Sequence, residues 1–274
     1  MKDYLEKSVD DITGFRDVDK MISGLPNGNL IVVGGRPSMG KTTFALCVAK
    51  NMALVKRKKV IYFSLEMSRE MFVKRLIASK LEINLQDFIA GRINDNHWDD
   101  LCSNATVLAN SGLILNDTPG ILVDDIYKIC LQLKEKKGID LVIVDYLQLI
   151  SAPHELNSSR QKQLEYIFIK LKLLAFEMKK PVIVISQLSR APETREDKHP
   201  VMSDFRETII GRKADTVMIM YREDYYNKES IFHNLTEIMF LKRGTGGNGK
   251  VCLEWDSRKN EFKDYEGTRS SDTE

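Results

Sequence analysis

Residues 30–42 read Leu-Ile-Val-Val-Gly-Gly-Arg-Pro-Ser-Met-Gly-Lys-Thr, and no other stretch constrains the fold of this chain as tightly. An apolar run enters a glycine-rich turn, and an amphipathic segment follows at once, so the pattern G-x-x-x-x-G-K-[ST] sits between a strand and a helix. Glycines let such a loop curl until its backbone N–H groups converge, and the helix N-terminus adds a favourable dipole for phosphate. The candidate cradle is Gly35, Arg36, Pro37, Ser38, Met39, Gly40, Lys41, Thr42 and Thr43. Lys41 has the reach for β and γ phosphates, and Thr42 has a hydroxyl for magnesium. A ligand with β and γ phosphates, and Mg²⁺ with it, is therefore expected. A metal site of this kind needs an aspartate at the end of another strand, and Asp145, after Leu-Val-Ile-Val, stands there.

Five apolar runs bounded by turn residues read as buried strands: Leu30–Gly34, Val60–Ser64, Leu113–Leu115, Asp140–Val144 and Val182–Ser186. Segments with helical spacing lie between them, including Phe44, Val48, Met52 and Val55 on one face and Leu164, Ile167, Leu171 and Leu174 on another. Alternation of this sort specifies an α/β fold, a mostly parallel central sheet with helices on both faces and ligands at the carboxyl ends of the strands. Beyond Asp215 the pattern turns to strands alone, at Thr216–Tyr221, Glu237–Lys242 and Lys250–Trp255, which read as antiparallel. One domain over 13–263 follows, with a short extension at 1–12 and a disordered tail at 264–274. The irregular stretch 189–203, with Pro192 and Pro200 among charged residues, reads as mobile.

The 274 residues are 43% apolar and 29% charged, with 41 basic against 39 acidic side chains, which suits a globular chain and not a disordered one. No run approaches a membrane span, and the polar, acidic start is not a signal peptide, so the expected compartment is the cytoplasm. Cys47, Cys102, Cys130 and Cys252 have neither zinc-site nor redox-pair spacing and read as core thiols.

Two further residues fall at the strand ends. Glu66 follows the strand at Val60 and reads either as a general base for an attacking water or as a first-turn residue of a helix over 67–81, bonded to its dipole. Spacing does not choose between them. Gln187 follows Val182–Ser186, where a neutral amide can meet the γ phosphate or Asp145.

These motifs together resemble the carboxyl-terminal motor domain of replicative DNA helicases of the DnaB type, within the RecA-like ATPases. The resemblance rests on ThrGlyPheArgAspValAspLysMetIleSerGly at 13–24, the phosphate loop at 35–45 and PheSerLeuGluMetSerArgGlu at 63–70. It continues through AsnAspThrProGly at 116–120, ValAspTyrLeuGlnLeu at 144–149, SerGlnLeuSerArg at 186–190 and TyrArgGluAspTyrTyr at 221–226. It implies a RecA-like P-loop NTPase core and ATP hydrolysis coupled to 5′ to 3′ movement on single-stranded DNA with duplex unwinding in replication. Glu66 is then the catalytic base. The partners it implies are single-stranded DNA and a homo-hexamer, with a helicase loader, a primase or a host replicative helicase as candidates beyond them, and no membrane. The rival readings are a helicase-like module that joins or regulates a host helicase, and a RecA-type ATPase of recombination or signalling.

Three departures from the family pattern stand out. Only about twelve residues precede the motor segment, where the family has a collar domain and a linker helix. The family's DNA loop corresponds to Ser203–Lys213, about one residue shorter and with Ile209 in place of a glycine, where a β-branched side chain would obstruct a phosphate. Arg206, Glu207, Arg212 and Lys213 remain as DNA-binding candidates. The family's finger segment carries a lysine and an arginine two apart, whereas here Lys242 is followed by Arg243, and Gly244 takes the arginine's place. Arg243 then falls on the opposite face unless a bulge at Gly244 and Gly246–Gly247 turns it inward.

Smaller signals read as follows. Lys56–Lys59 is a solvated turn rather than a DNA contact. Tyr225 and Tyr226 are evenly balanced between stacking on a base and packing. Trp98 and Trp255 read as packing residues, and His97, His154, His199 and His233 have no ligand spacing. Residues 50–80 hold nine basic and two acidic side chains, which suggests a basic face for DNA.

Overall fold

The computed structural model describes residues 12–92, 98–156, 159–244, 248–256 and 258–267. His97, the Trp98 side chain, Gly246–Gly247, most of the N-terminal extension and residues 268–274 lie outside that description.

The inner strands of the α/β core are apolar over most of their length because both of their faces are covered, and polar residues gather at their carboxyl ends. In β1 (Leu30–Gly35), Leu30 and Val32 join one apolar core while Ile31 and Val33 join the other. Strands β2 (Val60–Ser64), β3 (Leu113–Asn116), β4 (Leu141–Asp145), β5 (Val182–Gln187) and β6 (Thr216–Tyr221) run parallel to β1, in the order β3-β2-β4-β5-β1-β6. Beyond them β7 (Leu235–Arg243), β8 (Gly249–Asp256) and β9 (Glu261–Asp264) extend the sheet antiparallel. One core lies under α1 (Arg16–Ile22), α2 (Lys41–Lys50) and α3 (Arg69–Leu81). The other lies under α6 (Val123–Lys137), α7 (Arg160–Met178) and α9 (Ile209–Lys213). Helix α5 (Trp98–Ala109) and the short helices α4 (Leu85–Ile89), α8 (Ala191–Thr194) and α10 (Glu223–Tyr226) are also described.

The expected alternation is present, with adjustments that have local causes. β6 is a parallel strand beside β1, so the antiparallel extension starts one strand later than expected. β9 was not foreseen and crosses the boundary placed at 263/264, where Asp264 accepts the Arg16 backbone N–H at 3.3 Å. Val55, expected on the buried face of α2, is exposed because the helix widens into a π turn over Asn51–Val55, which shifts the phase of the apolar stripe. Cys47 and Cys130 are core thiols, but Cys102 is exposed and Cys252 half-buried. The 189–203 stretch is tied down, since Arg195 grips both oxygens of Asp204 at 2.8 Å each and Asp204 is itself buried.

The N-terminal motif folds on itself. Asp19, fully buried on α1, accepts the Thr13 N–H at 3.0 and 3.1 Å, and the helix ends where Ser23 and Gly24 take positive φ. Helix α3 starts at Arg69 rather than Met67, capped by Ser68 and by Asp117, which accepts the Arg69 N–H at 2.8 Å.

Candidate nucleotide site

The carboxyl ends of β1, β2, β4 and β5 meet around a cleft of about 550 Å³ lined by Pro37, Ser38, Gly40, Lys41, Thr42, Thr43, Glu66, Asp145 and Gln187. Arg75, Tyr146, Ile185, Arg222, Trp255 and Asn260 line it too. The loop fixes its own shape. Gly40 has φ +87°, and a Cβ there would lie 2.6 Å from the Phe262 ring; a Cβ on Gly34 would lie 2.5 Å from the Phe205 ring. Both positions exclude any larger residue without displacement. Lys41 folds back so that its Nζ donates to the Arg36 carbonyl at 2.8 Å. Burial lowers its pKa to about 8, against the opposing pull of Asp145 and Glu66.

Asp145 is buried, and burial raises its pKa, while the Thr42 and Tyr62 hydroxyls offset part of the shift. Tyr62 donates to Oδ2 at 2.8 Å. Oδ1 is buried with no hydrogen-bond partner, an arrangement that costs free energy unless a ligand completes it. Magnesium fits this donor set, because that ion takes hard oxygens, keeps several waters and needs only one or two protein ligands besides phosphate. No cluster of three or more His, Cys, Asp or Glu side chains suited to a metal occurs among the described residues.

Not every side chain of the motif faces the cleft. The Arg36 side chain turns away from the cleft, donating to Glu193 at 2.6 and 2.8 Å and to the Leu188 carbonyl at 2.9 Å, and Met39 is buried in the core. Gly35 is likewise absent from the lining. Glu66 is exposed, precedes the Ser68 cap and is outside α3, so its reading as a first-turn residue falls.

Tyr62, Arg75 and Arg222 are among the residues at this edge that the sequence did not single out. Tyr62 looked like any strand residue. Arg75, on α3, faces the cleft, with its Nε buried and unpartnered, and the signal was a cation between Phe72 and Leu76 on a buried stripe. Arg222 lies 5.5 Å from the Trp255 ring, so Trp255, which also packs on Phe262 at 4.9 Å, lines the cleft as well as packing. Tyr226 stacks on Tyr221 at 5.8 Å and Tyr225 meets the Tyr226 ring edge-on at 5.1 Å, with Tyr225 still exposed.

The finger candidates stand elsewhere. The register of β7 skips Leu241, since Val217 faces Lys242 and Met218 faces Phe240. The irregularity therefore precedes both cations instead of following them, and they still leave opposite faces. Lys242 Nζ donates to the Gly211 and Arg212 carbonyls at 3.1 and 3.4 Å, and Arg243 Nη1 to the Met21 carbonyl at 2.9 Å. Neither lines the nucleotide cleft of its own chain.

In the DNA-loop segment, Arg206, Arg212 and Lys213 are exposed, but Glu207 is buried and bonded to Gln148 at 3.1 Å. Ile209, expected to obstruct a phosphate, points into the apolar core instead. Nor do residues 50–80 form a basic face. Lys50 pairs with Glu261, Lys74 with Glu70 at 2.6 Å, Arg75 enters the cleft, and Lys56–Lys59 lies exposed before β2, away from the carboxyl ends of the strands.

A parallel sheet with this loop after its first strand and this aspartate after its fourth defines a P-loop nucleotide-binding domain of RecA-like topology. The family model for the DnaB-like helicase C terminal domain matches residues 12–264, and the chain belongs to that family. The replicative DNA helicase DnaB of Geobacillus stearothermophilus is 42% identical over 255 residues, covering 93% of this chain and 56% of that protein. The replicative DNA helicase DnaC of Bacillus subtilis is 41% identical over the same length and with the same coverage. The chain thus spans a little over half of these relatives. The ATPase domain of G40P superposes with a TM-score of 0.88 at 37% identity, covering 93% of this chain and 90% of that one. A DnaB-like replicative helicase whose structure was described with its interactions with primase gives 0.87 at 37% identity, covering 93% and 61%. No helix among the described residues is long and apolar enough to cross a membrane.

Proposed function

We propose that this chain is an ATP-driven motor domain that moves along single-stranded DNA and unwinds duplex DNA during replication, as one subunit of a homo-hexamer. The observation that carries the reading is the cleft at the carboxyl ends of the strands, where Lys41, Thr42, Asp145 and Glu66 converge with an unsatisfied buried carboxylate oxygen. Lys41 is held in the loop by one carbonyl and is released to β and γ phosphates when they arrive. Asp145 and Thr42 would hold magnesium, which when bound neutralises phosphate charge. Glu66 stands free of helix and core, where it accepts the proton of the attacking water. Gln187, which lines the cleft, would meet the γ phosphate, and Arg75 adds a cation to the same cleft.

Lys242 acts on a neighbour's nucleotide, with Arg243 held to Met21. Exposed Arg206, Arg212 and Lys213 hold the DNA backbone. A loader and a primase are further partners of the assembled ring, and the cytoplasm is its compartment.

The test is ATP hydrolysis with and without single-stranded DNA, beside the mass in solution, for the parent and Glu66→Gln. The variant should retain nucleotide affinity and lose on the order of 10²–10⁴ in turnover. A parent that stays monomeric with nucleotide and DNA, without stimulated hydrolysis, overturns the motor reading.

A further inference from the structure

Gln148 joins two clefts that the chain keeps apart. It sits in a short 3-10 turn, Leu147–Leu149, three residues beyond Asp145. Its Oε1 accepts the Gln187 backbone N–H at 3.2 Å. Its Nε2 faces three acceptors, the Ser186 hydroxyl at 3.1 Å, the Gln187 carbonyl at 3.4 Å and Glu207 Oε1 at 3.1 Å. Gln187 lines the nucleotide cleft, whereas Gln148, Arg206 and Glu207 line a separate cleft of about 360 Å³ with Arg160.

We propose that Gln148 is a positioning residue that couples occupancy of the nucleotide cleft to the posture of the Arg206–Glu207 segment. The proposal rests on the functional reading above. One carboxamide has two N–H groups, so three acceptors compete for them. Anything that moves the end of β5, such as a phosphate drawing Gln187 toward itself, redistributes those bonds and changes how firmly Glu207 is held.

Glu207 is poised to respond. Its Oε2 is buried without a partner, so the carboxylate is anchored through one oxygen, and the residue beside it is the exposed Arg206. The pivot itself is steadied, because Arg160 donates to the Gln148 carbonyl at 2.7 Å. The side chain is thus free to choose among acceptors while its backbone stays in place.

The experiment measures affinity of the full chain for a fluorescent oligo-dT strand, with magnesium and a non-hydrolysable ATP analogue and again without nucleotide. The parent should show a ratio of at least about fivefold, the lower end of ordinary coupling. In Gln148→Leu the ratio should fall to within about twofold of one, while DNA-free hydrolysis stays within about threefold of the parent. Glu207→Leu should lose the ratio to the same extent, Glu207→Gln, which keeps an acceptor oxygen, should retain it, and the double leucine variant should lose no more than either single one.

A ratio preserved in Gln148→Leu, or losses that add in the double variant, overturns the proposal. Thermal melts identify a variant that fails to fold, and in that case the Glu207→Leu and Glu207→Gln pair decides the outcome. A parent that hydrolyses ATP but shows no ratio overturns the coupling alone. A parent that neither hydrolyses ATP nor binds DNA overturns the motor reading itself.

Discussion

The cations around β1 and those at the end of β7 are held in contrasting ways. Lys41 is gripped by one carbonyl within a cleft that also holds Asp145 and Glu66, so a phosphate ligand finds its counter-charge in place. Lys242 and Arg243 instead rest on carbonyls of α9 and α1 and line no part of that cleft. A single chain therefore assembles the candidate phosphate cleft by itself and holds its finger candidates elsewhere.

The sharpest way to break this contrast is Lys242→Ala. If the lysine serves a neighbouring subunit, turnover should fall by on the order of 10³–10⁵, while Arg243→Ala stays near the parent. Mixing Lys242→Ala with Lys41→Ala should restore part of the hydrolysis, because the second variant lends its Lys242 to the intact phosphate loop of the first. Failure of the mixture to recover would show that Lys242 acts within its own subunit.

The phosphate edge was legible because it depends on local order. A glycine loop must follow a strand and precede a helix, and sheet topology then brings the ends of β2, β4 and β5 to it. Glu66, Asp145 and Gln187 were found from their place after apolar runs. In the finger segment, alternation foretold that Lys242 and Arg243 leave opposite faces, but the register skip at Leu241 leaves no mark in residue type. Glu207 looked like a surface charge because its partner, Gln148, is 59 residues away in sequence. Arg36 and Met39 belong to the motif by spacing, yet one braces Glu193 and the other fills the core.

Lys41 offers the next largest effect. With its pKa lowered to about 8 by burial, the free chain loses the ammonium as pH rises through that value. Phosphate binding favours the charged form, so affinity should fall by up to about tenfold per pH unit above it. Titrating an ATP analogue between about pH 7 and about pH 9 reads this directly, and Lys41→Arg, with a cation that does not titrate there, should flatten the curve. A flat parent curve would mean that the lysine is not buried as the loop geometry requires.

Gly34 tests where the two regions touch. A methyl there would meet Phe205, the residue before Arg206, so Gly34→Ala should cost about 1–3 kcal/mol, seen as a fall of several degrees in Tm. Phe205→Leu in the same chain should return part of it by opening space. Unchanged melting would show that the ring moves aside freely and that the phosphate loop and the DNA segment are mechanically independent.

The smallest effect lies where the 189–203 stretch is pinned to the sheet. His199 stands between Glu237, with an Nε2–Oε2 distance of 3.7 Å, and Asp197 at 2.7 Å, stacks near Tyr221 at 4.2 Å, and shares Glu237 with Lys250 at 3.6 Å. Its contact with the Glu237 carboxylate is the largest influence raising its pKa, with Asp197 adding to it. The unfolded imidazole titrates near its ordinary value of about 6.5. The imidazolium therefore contributes fully below that pH, and the contribution is lost as pH rises through the higher folded value. Because the ring is half-exposed and Lys250 opposes it, the gain should be under about 1 kcal/mol. The difference in Tm between the parent and His199→Gln should therefore shrink from acid to neutral pH and beyond, and a difference that grows instead would reverse the assignment of charge at this anchor.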